Sequence, residues 1–168
     1  MTIHSEHPFL EPESERDPGR RLRGRLGGAV TLWTAGSGRD RTGLTISSVM
    51  VAHGDPAHVL GLVDPESDLA GADTAVVQLL EWSHRDLADA FAGVAPAPGG
   101  PFRMGTWEES EWGPVLQGVS AWAGVRFIGS AAEVGWSLLL DGVVEHVSLS
   151  EETSPPLVHR RGRYVRPA

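Results

Sequence analysis

Arg41-Thr42-Gly43-Leu44-Thr45-Ile46-Ser47-Ser48 decides how the rest of the sequence reads. The turn cluster Gly36-Ser37-Gly38-Arg39-Asp40 feeds it, and apolar and hydroxyl side chains then alternate. A period of two marks a half-buried strand, here running over Leu44–Ala52. Upstream, Ala29-Val30-Thr31-Leu32-Trp33-Thr34 alternates in the same way and is rich in β-formers. Downstream, His58–Val63 follows the turn at Asp55-Pro56 and gives a third strand. Short loops between the three predict an antiparallel meander.

The β pattern continues to the end of the sequence. Ser67–Ala72 predicts a short helix after the polar turn Asp64-Pro65-Glu66-Ser67, and Ala75–Leu80 a mostly buried strand. One clear helix follows, with Ser83 as N-cap, Asp86 in the first turn, Leu87 and Phe91 four apart, and Gly93 past its end. Val94–Gly100 is a Pro/Gly/Ala linker, and Pro101–Pro114 is an irregular loop holding Trp107 and Trp112. Gly118–Ile128 and Val134–Leu149 predict two longer strands, the second bent at Gly142. Leu157-Val158-His159 and Arg163-Tyr164-Val165 flank Arg160-Arg161-Gly162, either as a last hairpin or as one strand with a glycine bulge. Six or seven strands with one or two short helices predict a mainly β barrel.

Composition removes several chemistries. The chain has 168 residues and no cysteine, so one domain is expected, without disulfides, thiol catalysis or cysteine-bound zinc. All 14 basic residues are arginine, which removes Schiff-base lysines and the lysine of a phosphate-binding loop. The formal charge is −8 and the sequence shows no basic stripe with interleaved aromatics, so neither nucleic acid nor membrane is an expected partner. The segment 1–22 is rich in Glu, Pro and Ser and has no apolar signal-peptide core. It is read as a disordered tail ahead of a domain spanning 23–168, and the protein as cytoplasmic. His53 and His58 lie five apart with no third ligand nearby, so no metal site is expected. There is no Gly-x-Ser-x-Gly elbow, and Gly36-Ser37-Gly38 is a hairpin turn rather than a dinucleotide fingerprint.

Several ordered pieces carry a resemblance: Gly43-Leu44-Thr45-Ile46-Ser47-Ser48, Asp55-Pro56 before a buried strand, Ser67 in the next turn, and His84-Arg85-Asp86-Leu87-Ala88 leading to Phe91-Ala92. Gly113-Pro114-Val115-Leu116 and Pro156–Tyr164 follow in the same order. The sequence resembles the flavin reductase-like, FMN-binding split-barrel family. That resemblance implies a split β-barrel homodimer holding FMN, with FAD the alternative, in a groove near the subunit interface. It assigns Thr45, Ile46, Ser47 and Ser48 to the isoalloxazine and ribityl chain, Ser67 to the phosphate, and His84 to a flavin-side contact. A hydroxyl and free N–H groups at a helix start suit a phosphate independently of the resemblance.

Three departures from the family pattern matter, one being that the segment between Ser67 and the strand at Ala75 is a few residues short, which implies a truncated helix under the phosphate. Pro65, Glu66 and Asp68 stand at a turn where many relatives carry an Arg or Lys, which disfavours a phosphate there unless an arginine such as Arg39, Arg41 or Arg85 reaches in. Aligning Gly135 and Gly142 with the family's Gly-Asp-His-Thr strand puts Trp136 and Ser137 at its Asp and His positions, beside the nicotinamide. The resemblance implies an NAD(P)H:flavin oxidoreductase, using NADH or NADPH and supplying reduced flavin to a flavin-dependent monooxygenase component. The alternatives are a non-catalytic flavin-binding dimer, because the nicotinamide-site histidine is Ser137, and a barrel without cofactor that acts as an interaction module. Trp82, Trp107 and Trp112 either roof the pocket or pack in the core.

Overall fold

A computed structural model describes residues 17–152 and 154–166. It opens with helix α1 (Pro18–Leu26), so the stretch read as tail is helical from Pro18 onward, and the rest of that reading lies outside the described residues. Asp17 caps the helix, accepting from the Gly19 and Arg20 N–H groups at 2.9 and 3.1 Å. The first predicted strand is two, β1 (Gly28–Ala29) and β2 (Thr31–Ala35), which join different sheets.

The predicted meander is corrected in an informative way. The second strand is split into β3 (Thr42–Ile46) and β4 (Val49–Ala52), with Ser47-Ser48 at the break. β3 pairs with β2 and β4 pairs with β5 (His58–Val63), but β3 and β4 do not pair with each other. They are opposite edges of one antiparallel sheet ordered β3-β2-β6-β9-β11-β5-β4, where β6 is Thr74–Leu79, β9 Ala121–Phe127 and β11 Ser137–Leu149. A strand that bends sharply can serve both edges, so the sheet curls into a barrel without a closing ladder. This is the expected mainly β split barrel.

Two cores occupy the two faces of that sheet. Inside lie Trp33, Ile46, Val63, Leu69, Val125 and Leu140. Gly61 makes room there, because a Cβ on it would sit 2.8 Å from the Trp33 ring. Outside, Leu32, Leu80 and Leu157 meet Leu87, Ala88 and Phe91 of helix α2 (Arg85–Phe91). The predicted irregular loop contributes a hairpin, β7 (Trp107–Glu109) with β8 (Pro114–Leu116). Its Trp107 packs edge-on against Phe91 and Phe102 at 5.7 and 4.9 Å.

Two local expectations shift, and an open choice between two is settled. Ser83 does not cap α2: a 3-10 turn over Trp82–His84 leads in from Glu81, whose N–H donates to His84 Nδ1 at 3.0 Å. β10 (Ala132–Val134) precedes β11 as its own strand, and the register of β11 shifts between Val144 and His146 rather than at Gly142. The C-terminal pair, β12 (Val158–Arg160) and β13 (Arg163–Val165), is a hairpin, with Arg161 and Gly162 at φ 53° and 77°. Two consecutive left-handed residues match the twist of tight antiparallel strands. Among the described residues no helix is long and apolar enough to cross a membrane.

Candidate functional site

Three turns meet at one rim of the barrel. The first is the corner at Ser47-Ser48, where the Leu62 N–H donates to the Ser48 carbonyl at 3.1 Å. Both serines lie outside the ladders that end at Ile46 and begin at Val49, and Ser47 is exposed. The second is the turn from Asp64 to Ser67, which starts where β5 ends at Val63. Its Ser67 hydroxyl accepts from the Leu69 N–H at 3.2 Å and opens the 3-10 turn Asp68–Gly71, which packs beside β3 through buried Leu69. The third is the β10–β11 turn. Leu138 pairs with Val63, so Ser137 and Trp136 lie next to the start of the Asp64 turn. Trp136 is 91% exposed, an open aromatic face at the hairpin tip.

Other sequence-assigned residues are committed elsewhere. The Thr45 hydroxyl donates to the Ala88 carbonyl at 2.7 Å, fastening β3 to α2. Ile46 is 3% exposed and faces the barrel core, while its carbonyl accepts from the Thr31 hydroxyl at 2.7 Å. Both can offer the rim only backbone. His84 sits in a separate cleft of about 460 Å³ at the head of α2, near Met104, Thr106 and Gln117. Burial lowers its pKa, and the Glu81 carboxylate partly offsets that.

Two of the three arginines that could have served the phosphate turn are engaged elsewhere. Arg41 lies 4.6 Å over the Phe102 ring and donates to the Gly38 carbonyl. Arg85 lies 3.9 Å over Trp82 and donates to the Trp82 carbonyl at 2.6 Å. Arg39 is exposed in the 3-10 turn Gly38–Asp40. The turn at Ser67 therefore keeps its acidic character, with Asp64, Glu66 and Asp68 exposed around it. Trp82 and Trp107 are half-buried in the outer core, and Trp112 lies on β9, stacked 5.3 Å from His146; none of the three roofs the rim.

A basic face beside the corner escaped the sequence reading. Gly28 approaches so closely that a Cβ on it would lie 2.7 Å from the Ser47 carbonyl oxygen. The same glycine pairs with His159 of β12, which brings arginines from both ends of the chain to the corner. Their two clusters are visible in the sequence, but their union is not.

The rim suits a flat, polar-edged ring: exposed hydroxyls and unladdered amides on one side, and an open indole on another. The sequence matches the flavin reductase like domain family over residues 23–168, and the chain belongs to that family. No curated protein matches it. Among solved structures it is similar to the NADH:FAD oxidoreductase SgcE6 of Streptomyces globisporus C-1027, with 25% identity, TM-score 0.79, and 95% and 96% of the two chains covered. It is also similar to the flavin reductase PheA2, at 21% identity and TM-score 0.78 over 91% and 99% of the two chains. A homologue of nitrilotriacetate monooxygenase component B from Mycobacterium thermoresistibile gives 24% identity and TM-score 0.77 over 88% and 83%.

Proposed function

We propose that this member of the flavin reductase like family passes hydride from NADH or NADPH to a flavin and releases it, reduced, to a flavin-dependent oxygenase. The observation that carries the reading is the convergence of Ser47-Ser48, the Ser67 turn and Trp136-Ser137 at one rim. Family membership gives the reaction class, and the similarity to a monooxygenase component B supports an oxygenase as acceptor. Both weigh against a non-catalytic flavin carrier.

In this reading the amides and hydroxyls of Ser47 and Ser48 hold the polar edge of the flavin ring, with FMN the expected form and FAD the alternative. Ser67 offers its cap to a phosphate. A bound flavin supplies a two-electron acceptor, and the protein's part is to hold two rings at contact distance. Trp136 gives the nicotinamide an apolar stacking face, and the Ser137 hydroxyl orients its polar substituent. A second copy covers the apolar edge at Met50 and Val51, making a homodimer that encloses the groove. The cytoplasm, where both nicotinamide nucleotides occur, is the fitting compartment.

The test is nucleotide consumption by the purified protein with FMN or FAD added. Flavin-dependent oxidation of NADH or NADPH is expected, and Ser137→His should raise its rate by restoring an imidazole beside the nicotinamide. If neither nucleotide is oxidised with either flavin, the reading fails.

A further inference from the structure

We infer that α1 and the β12–β13 hairpin form a binding face for the diphosphate half of a dinucleotide, adjoining the Ser47-Ser48 corner. This deepens the preceding reading by naming the substrate class, and rests on it only for where the redox ring lies.

Charge is unevenly distributed along the chain. Residues 18–35 and 154–166 contain eight of the 14 arginines and no carboxylate. The whole chain carries −8, so the remainder carries −16. The fold brings those two segments together. The Arg161 N–H donates to the Gly24 carbonyl at 2.8 Å, and Arg160 Nε donates to the Arg25 carbonyl at 3.5 Å. Gly24 lies against the Arg161 backbone, which lets the helix settle on the hairpin turn.

Arginines of both segments present their side chains to solvent. Arg23, Arg25, Arg160 and Arg163 are exposed, and no carboxylate pairs with them among the described residues. Asp89 of α2 hydrogen-bonds Tyr164 of the hairpin. Asp17 is engaged at the opposite end of α1, on its N-terminal amides.

Position and shape then select the ligand. Gly28 joins α1 and β2, touches Ser47 and pairs with His159, so the face begins where the flavin-site corner ends. The Ser67 turn has three carboxylates nearby and no arginine partner in Arg41 or Arg85, so a highly charged ligand half is better served here. Arg160 and Arg163, paired across the hairpin, can grip one phosphate, and an arginine on the adjoining flank of α1 can grip a second, which one phosphate does not require. A long polyanion would run from this face onto surface carrying −16 and be repelled; a compact diphosphate would not.

The experiment is calorimetric titration of the full chain with ADP and, separately, with FMN. The wild type should bind ADP, and Arg23→Gln/Arg25→Gln/Arg160→Gln/Arg163→Gln should bind it about tenfold or more weakly, as lost charge-assisted contacts require. FMN affinity should stay unchanged. The single variant Arg163→Gln, at an exposed position, should lose part of the ADP affinity even if the quadruple variant folds poorly. Two further arms identify the source: a preference for FAD over FMN that disappears in the variant marks the flavin, and a raised KM for NADH or NADPH marks the nicotinamide nucleotide. No ADP binding, equal ADP binding by wild type and variants, or tighter binding of a DNA duplex than of ADP overturns the inference. If ADP behaves as expected and no flavin binds, the proposed function falls and this face stands.

Discussion

Gln78 shows how one residue couples the barrel to its outer hairpin. It is fully buried in β6, yet each end of its amide is used. Nε2 donates to the Thr34 hydroxyl at 2.9 Å and to the Pro114 carbonyl at 3.4 Å, and Oε1 accepts from the Leu116 N–H at 2.7 Å. The Thr34 hydroxyl donates in turn to Pro114 at 2.5 Å. Gln78→Leu keeps the volume and strands these partners in an apolar setting. A loss of about 2–3 kcal/mol is expected, lowering the melting temperature by about 5–10 °C. A thermal melt followed by circular dichroism checks it, and an unchanged midpoint would show that the network contributes nothing. The sequence revealed the buried strand around Gln78 but not its purpose, because the partners are 36 to 44 residues away. Ser47 and Ser48 are the converse case. The family resemblance singled them out together with Thr45 and Ile46, and the structure separates the four: Thr45 and Ile46 spend their side chains on α2 and the core, whereas Ser47 and Ser48 lie outside the ladders.

At the scale of elements, the head of α2 carries a pH dependence. His84 Nδ1 accepts from the Glu81 N–H, which requires the neutral ring, and burial holds its pKa below the ordinary value. The unfolded chain therefore takes up a proton at His84 before the folded chain does. Stability from this group is complete above about pH 6.5 and declines as the pH falls from there toward the lowered folded value. Denaturant midpoints should fall over that window in the wild type, and His84→Gln, which keeps an acceptor, should flatten that decline. An equal decline in both proteins would assign it to other groups. Periodicity located α2 correctly through Leu87 and Phe91. It misjudged the start because Ser83, a good cap by type, lies within a 3-10 turn that the His84 ring closes instead.

For the whole molecule, joining both sheet edges at one corner leaves β4 uncovered. Met50 and Val51 are 65% and 69% exposed there, and Val147 and Leu149 are 54% and 74% exposed on β11. Exposed apolar strand edges invite pairing. With a homodimer as the proposed state, sedimentation velocity should give twice the monomer mass, and Met50→Glu/Val51→Glu should give monomers with weakened flavin-dependent turnover. A wild type that sediments as a monomer removes the dimer from the proposal. Residue type and spacing were enough to read the β-rich class, most strand positions and the chemistries that missing cysteine and lysine exclude. These depend on residue type and on period, which neighbours along the chain express. It took the folded chain to show that β3 and β4 are opposite edges joined by a corner at Ser47-Ser48, that Arg41 and Arg85 turn away from the acidic turn, and that the two arginine-rich segments meet. Each of these depends on which distant segments meet, and backbone pairing and burial across more than a hundred residues set that, not local pattern.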